Sequence, residues 1–194
     1  MPATIRVVGM YTKVTEGRSV DTTSRSGLWS GLSPFLLGPC DLHDGRTSQT
    51  HENAWQYAKV YQIHTDENGE PTPEYWKWAE AGWANPKAVR YPMGRGAIPL
   101  YSLWKGHKLG YVEARKAIYA PLFRTAVENT DAYKALRELY NTEELIVLRD
   151  YDGYDYSNTT LTAVLNNPRR KMGHSFVLAM MLTNDPALSE FVNL

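Results

Sequence analysis

The sequence predicts a single α+β domain over residues 1–194, mainly helical with a small β-sheet. Three observations predict it. Helix-start signals recur, most clearly at Thr50 and Thr130, where a hydroxyl can satisfy a free first-turn N–H. Two runs rich in β-branched residues, TIRVVGMYTKV over 4–14 and ELIVLR over 144–149, supply strands. KMGHSFVLAMML, residues 171–182, is apolar nearly all round and reads as the central helix.

Taken in order, residues 4–14 form a strand or hairpin, and 15–31, rich in Ser, Thr and Gly, a loop. LSPFLLGPCDL (32–42) contains Pro34, Gly38 and Pro39 and reads as an extended segment with turns; Asp44-Gly45 is a turn signal. From Thr50 a helix is expected to about residue 63, since no Gly or Pro follows until Gly69. Residues 64–73 read as exposed loop and 74–81 as a short helix ended by Gly82. Asn85-Pro86 is a helix start, with Asn85 as cap and Pro86 in first position. Residues 92–110 hold four glycines and two prolines and read as irregular. A long helix from about Tyr111 is bent or broken before Pro121. Thr130 caps another, to about Leu139. Residues 150–168 read as a polar, aromatic loop, and Pro186 opens a last short helix. The helices at 50–63 and 171–182 are expected to pack near each other, with Val177, Leu178, Met181 and Leu182 buried.

Lys plus Arg number 21 and Asp plus Glu 21, so the formal net charge is zero. That argues against sequence-independent wrapping of nucleic acid and leaves room for a local basic patch. The lone Cys40 excludes an internal disulfide and a CxxC metal site. No apolar run is long enough to span a bilayer, and MPATIRVVGM lacks a signal-peptide core, so the cytosol is the expected location, with no membrane partner. Six Trp and thirteen Tyr either stack on bases or sugars or fill the core with their polar tips satisfied.

GxxxxGK[ST], HExxH and GxSxG are all missing, and the five His have no paired ligand spacing, so no metal or cofactor is expected. Carboxylates, one lysine and aromatics remain. Glu52, Gln56 and Lys59 stand four and three residues apart, which on a helix is one face. Such a line is either a solvated stripe or, with Trp55, Tyr57 and Tyr61 around it, the wall of a pocket. Asp150, Asp152 and Asp155 lie within DYDGYDY past the predicted strand, as a cation site or a polar surface loop. Arg169, Arg170 and Lys171 precede the apolar helix, where free N–H groups favour an anion; a phosphate site and a solvated basic turn are both open.

Three segments, in order, resemble the NADAR family, also called YbiA-like, whose name records a predicted link to NAD and ADP-ribose. The first is Leu32-Ser33-Pro34-Phe35, then Asp44-Gly45, then Glu52-x3-Gln56-x2-Lys59. The family reads LSNF, a DG turn and EHxxQxxK. The second is Met93-Gly94-Arg95, Pro99-Leu100 and Trp104, followed by a helix from Val112 to Phe123. The third is Leu145-Ile146-Val147, Asp152, and Met172-Gly173 before the apolar helix. Together they span about residues 32–183. The chain departs from the family at Pro34, at Asn53 where the family has His, at Tyr154-Asp155 where D-x-x-W is common, and at Arg170, where NxxG would begin.

The resemblance implies an N-glycosidase that cleaves a base–ribose bond. The implied substrate is an ADP-ribosylated nucleobase such as guanine, in DNA, and the activity would counter a DNA-ADP-ribosylating toxin. Lys59 would attack C1, Glu52 would shuttle the proton, and Asp152 would hold the ribose or activate water. Gln56 and Asp155 would contact substrate, Trp55 and Trp104 would stack on the base, and Arg95, Arg169 and Arg170 would meet phosphate. Two alternatives stay open: an inactive ADP-ribose-binding module, and a glycosidase of a free ribosylamino-pyrimidine nucleotide.

Overall fold

The computed structural model describes residues Met1–Leu194. Its first sheet is parallel: β8 (Leu145–Asp150) runs between β1 (Thr4–Gly9) and β2 (Arg18–Asp21). Ile5 pairs with Ile146 and Val7 with Leu148 on one side; Val20 pairs with Leu148 on the other. Of the strand or hairpin expected over 4–14, the strand is found, at Thr4–Gly9, and part of the expected 15–31 loop is also strand. Ile146, Val147 and Leu148 are all fully buried, as a strand covered on both faces requires, and that burial favours placing β8 in the middle.

The apolar helix α7 (His174–Thr183) lies over this sheet. Val177 and Leu178 are fully buried and Leu182 nearly so, while Met181 is half-buried. It starts later than expected, because Gly173, with extended backbone, is its N-cap and residues 171–173 lie outside the helix.

The helix from Tyr111 departs from α geometry before Pro121. α3 (Tyr111–Ala114) passes through a π-turn, Arg115–Tyr119, into α4 (Ala120–Val127). Pro121 has no N–H to give and its ring crowds the carbonyl a turn back, so the wider turn relieves both problems. α1 (His51–Gln56) meets α7 through α4: the Phe123 ring lies 5.5 Å from His51 and 5.6 Å from His174.

Thr50 does cap α1, its Oγ1 accepting from the Asn53 N–H at 3.1 Å. The helix nevertheless ends at Gln56 and not near residue 63. Residues Lys59–Val60 become β5, paired antiparallel with β6 (Tyr101–Trp104), which pairs with β7 (His107–Leu109). Sheet pairing and full burial of Val60 outweigh local helix propensity here. The Tyr75 hydroxyl donates to the Tyr57 carbonyl at 2.8 Å, satisfying the cut helix end. The expected irregular stretch 92–110 thus contains a hairpin. Its turn is Lys105-Gly106, both at positive φ (50° and 79°), the geometry of a two-residue strand connection.

α2 (Pro73–Ala84) runs past Gly82 and does not end there. The Tyr57 ring lies flat against Gly82, where a Cβ would collide with it. Gly82→Ala should therefore lower unfolding stability by about 1–3 kcal/mol in chemical denaturation, although alanine is the better helix former. Asn85-Pro86 starts no helix; the Asn85 side chain accepts from the Lys87 N–H at 2.9 Å and closes a turn. α5 (Asp131–Thr142) is capped by Thr130 as expected and runs one turn further. Within 150–168, Thr160 caps a further helix, α6 (Leu161–Asn166). A two-stranded ladder, β3 (Cys40–Asp41) with β4 (Thr47–Ser48), flanks the Asp44-Gly45 turn. No helix is long and apolar enough to cross a membrane.

Candidate active site

A cavity of about 790 Å³ opens between α1, the end of β8, the 90–99 segment and the start of α7. Glu52, Trp55, Gln56 and Lys59 form one wall. Gln56 Nε2 donates to Glu52 Oε1 at 3.0 Å, and Lys59 Nζ donates to Gln56 Oε1 at 3.1 Å. The predicted line therefore exists, although Lys59 reaches it from a strand. This amide orientation suits an acceptor-only carboxylate on one side and a donor-only ammonium on the other. The ammonium also sits 5.1 Å from the centre of the Trp55 ring.

Glu52 and Gln56 are buried and Lys59 is half-buried. Burial lowers the Lys59 pKa to about 8, with Glu52 opposing and Lys171 assisting. Burial likewise raises the Glu52 carboxyl; the Gln56 hydrogen bond and the nearby Arg90 and Lys59 charges oppose it. An amine and an acid on either side of one amide, each with its pKa moved toward neutrality by burial, can each take up or deliver a proton in the cavity.

Asp152 faces the same cavity. The Arg90 Nη2 holds both of its oxygens, at 3.0 and 3.1 Å. Asn53 delivers Arg90 to this place. Its Nδ2 donates to the carbonyls of Gly82, Asn85 and Lys87, and its Oδ1 accepts from the Val89 N–H at 2.8 Å. This fully buried side chain thereby fixes the course of the chain up to Arg90.

Asp150 closes the floor. Its Oδ2 accepts from the Ser175 N–H at 3.1 Å and the Ser175 hydroxyl at 2.8 Å, and His174 Nδ1 lies 3.4 Å away. The carboxylate is the anion at the N-terminus of α7, and Gly173 is needed beside it because a Cβ would run into Asp150. Arg115 is a buried guanidinium lying over the Tyr111 ring at 4.4 Å. It donates to the carbonyls of Asn167 and Arg170, tying the 167–170 chain to the cavity wall.

Glu52, Trp55, Gln56, Lys59, Arg95 and Asp152 thus come together. Four other expected residues do not. Trp104 is buried in β6 with its ring 5.2 Å from His43, as core. Asp155 is exposed and accepts from the N–H and hydroxyl of Ser157. Arg169 and Arg170 lie outside the cavity; Arg170 covers the Tyr154 ring at 3.7 Å. The anion position they were expected to serve is occupied by Asp150. Lys171, their neighbour, does line the cavity. Asp150, Asp152 and Asp155 each keep separate side-chain partners, and no group of three or more His, Cys, Asp or Glu side chains converges as metal ligands would.

Sequence reasoning placed Lys171 at the cavity mouth, where it is found, but missed Arg90 and Arg115 as wall residues and Asp150 as a cap. Arg115 carried no distinct signal, since EARKAIYA also holds Glu113 and Lys116. Arg90 carried none, because only Asn53 places it. No family model, curated protein or solved structure matches this chain.

Proposed function

We propose that the protein is an N-glycosidase that removes ADP-ribose from a modified nucleobase, guanine in DNA being the substrate the motif resemblance suggests. The observation that carries the reading is the buried Glu52–Gln56–Lys59 line on a nucleotide-sized cavity. The neutral Lys59 amine bonds to C1 as the C1–base bond breaks, and the bonding pair leaves on the base nitrogen. The proton shed by the amine reaches Glu52 through water in the cavity, since Gln56 stands between the two, and passes from there to the base. Opening of the ribose ring gives an iminium; water adds at C1, the amine is released, and the sugar departs as its aldehyde. Asp152 meets the ribose hydroxyls and Trp55 packs against the base.

Incubation with an ADP-ribosylated oligonucleotide should release ADP-ribose, and borohydride added during turnover should trap an adduct at Lys59. Only the unprotonated amine attacks, so kcat/KM should rise with pH and level off above about 8, the pKa to which burial lowers Lys59. A rate that falls through that pH would mean that the reaction needs the proton kept on the pair. A binding module without turnover is the second reading. The Arg90 grip on Asp152 favours it, since that wall then offers no unpaired carboxylate; tight ADP-ribose binding with no release would select it.

A further inference from the structure

Three cations surround one tyrosine at the cavity mouth. The Arg90 guanidinium lies 5.4 Å from the Tyr91 ring centre, the Arg95 guanidinium 5.5 Å, and the Lys171 ammonium 5.3 Å. Lys171 also donates to the Tyr91 hydroxyl at 3.3 Å. All four residues line the cavity. They come from distant points in the sequence: Arg90 from the segment that Asn53 pins, Lys171 from the stretch before α7. Arg95 sits between Gly94 and Gly96, whose φ values of 93° and 86° turn the chain tightly on either side of it.

One carboxylate touches these charges, while Glu52 and Asp150 act on Arg90 from deeper in the cavity. Asp152 pairs with Arg90, through Nη2 alone, so the rest of that guanidinium has donors to spare. Arg95 and Lys171 are exposed and make no ion pair. At the mouth itself three positive groups thus meet one carboxylate by contact, on a chain whose formal net charge is zero. A tyrosine face offsets only part of that repulsion. An anion seated among the three would offset it further, with charge-assisted hydrogen bonds from planar and point donors alike.

We propose that Arg90, Arg95 and Lys171, gathered round Tyr91, form a subsite for the diphosphate of a nucleotide ligand. It replaces the basic turn at Arg169 and Arg170 as the anion-binding element of the protein. The subsite rests on the nucleotide reading of the cavity but not on its catalysis. It places the diphosphate at the mouth and the ribose inward, toward Asp152 and Lys59.

Calorimetric titration with inorganic pyrophosphate tests it without turnover. The wild type should bind, with affinity falling as salt rises. Arg95→Gln and Lys171→Gln should each weaken binding about tenfold and together about a hundredfold, as loss of a charged hydrogen-bond donor does. Both positions are exposed, so the fold should survive, and adenosine, which has no phosphate, should bind the double variant and the wild type equally. Arg169→Gln removes the same charge outside the cavity and should leave pyrophosphate affinity unchanged. A double variant that binds pyrophosphate as the wild type does, or loses adenosine to the same degree, overturns the subsite. Wild-type affinity indifferent to salt overturns it too. Pyrophosphate binding that depends on these residues, with no ADP-ribose released from modified oligonucleotide, would retain the subsite and remove the glycosidase.

Discussion

Lys59→Arg is expected to abolish turnover, by a factor on the order of a thousand or more in kcat, while ligand binding persists. Arginine keeps the positive charge and can still donate to Gln56. It cannot lose its proton near neutral pH and cannot form a Schiff base. At a pKa of about 8, about one Lys59 in ten is unprotonated at pH 7, far more than for a lysine in water. A variant with near-normal activity would rule out covalent attack and pass the chemistry to Glu52 acting through water. The same burial has a stability cost. The folded pKa lies below the unfolded one, so the destabilisation is full below about pH 8 and fades as pH rises toward the unfolded value near 10.5. Lys59→Met should thus raise stability at pH 7 by something on the order of 1–3 kcal/mol in denaturant titration, and lose that advantage in alkaline buffer.

Asp150→Ala should be the most damaging single change to stability, by about 3 kcal/mol in urea unfolding. It leaves the Ser175 N–H and hydroxyl without their acceptor in a buried place and strips the negative charge from the start of α7. Asp150→Asn keeps an acceptor oxygen and the side-chain volume, so its loss should be clearly smaller. Equal losses would mean that the negative charge at the start of α7, and neither the acceptor oxygen nor the packing under Gly173, is what Asp150 supplies.

Features governed by neighbours in sequence were legible. Thr50 and Thr130 cap as their chemistry requires, β8 follows its β-branched run, and Pro121 disturbs its helix. The Glu52–Gln56–Lys59 line was read correctly even though the helix that justified it stops at Gln56. An end at Tyr57 depends on Tyr75 and β6, which no local pattern reports. The β6–β7 hairpin was hidden by the glycines and prolines before it, and Lys105-Gly106 is a weaker turn signal than Asn-Gly. Arg169 and Arg170 were misread because α7 begins at His174, where Asp150 arrives from β8 to occupy the helix end. Arg90 and Tyr91 were invisible for a related reason: their position is set by a side chain on another element.

The parallel pairing of β1 and β2 on either side of β8 governs how the protein comes off the ribosome. The two N-terminal strands emerge first and have nothing to pair with until Asp150 has cleared the exit tunnel. Until then Val7, Val8 and Val20 stay exposed, and the loop to be closed spans most of the chain. Nascent chains arrested before β8 should therefore be sensitive to protease and bound by chaperones. Those arrested beyond α7 should become resistant in a single step. The cavity wall that β8 carries, with Asp150 at its foot, is completed in that same step, so no partly made chain should present a working pocket.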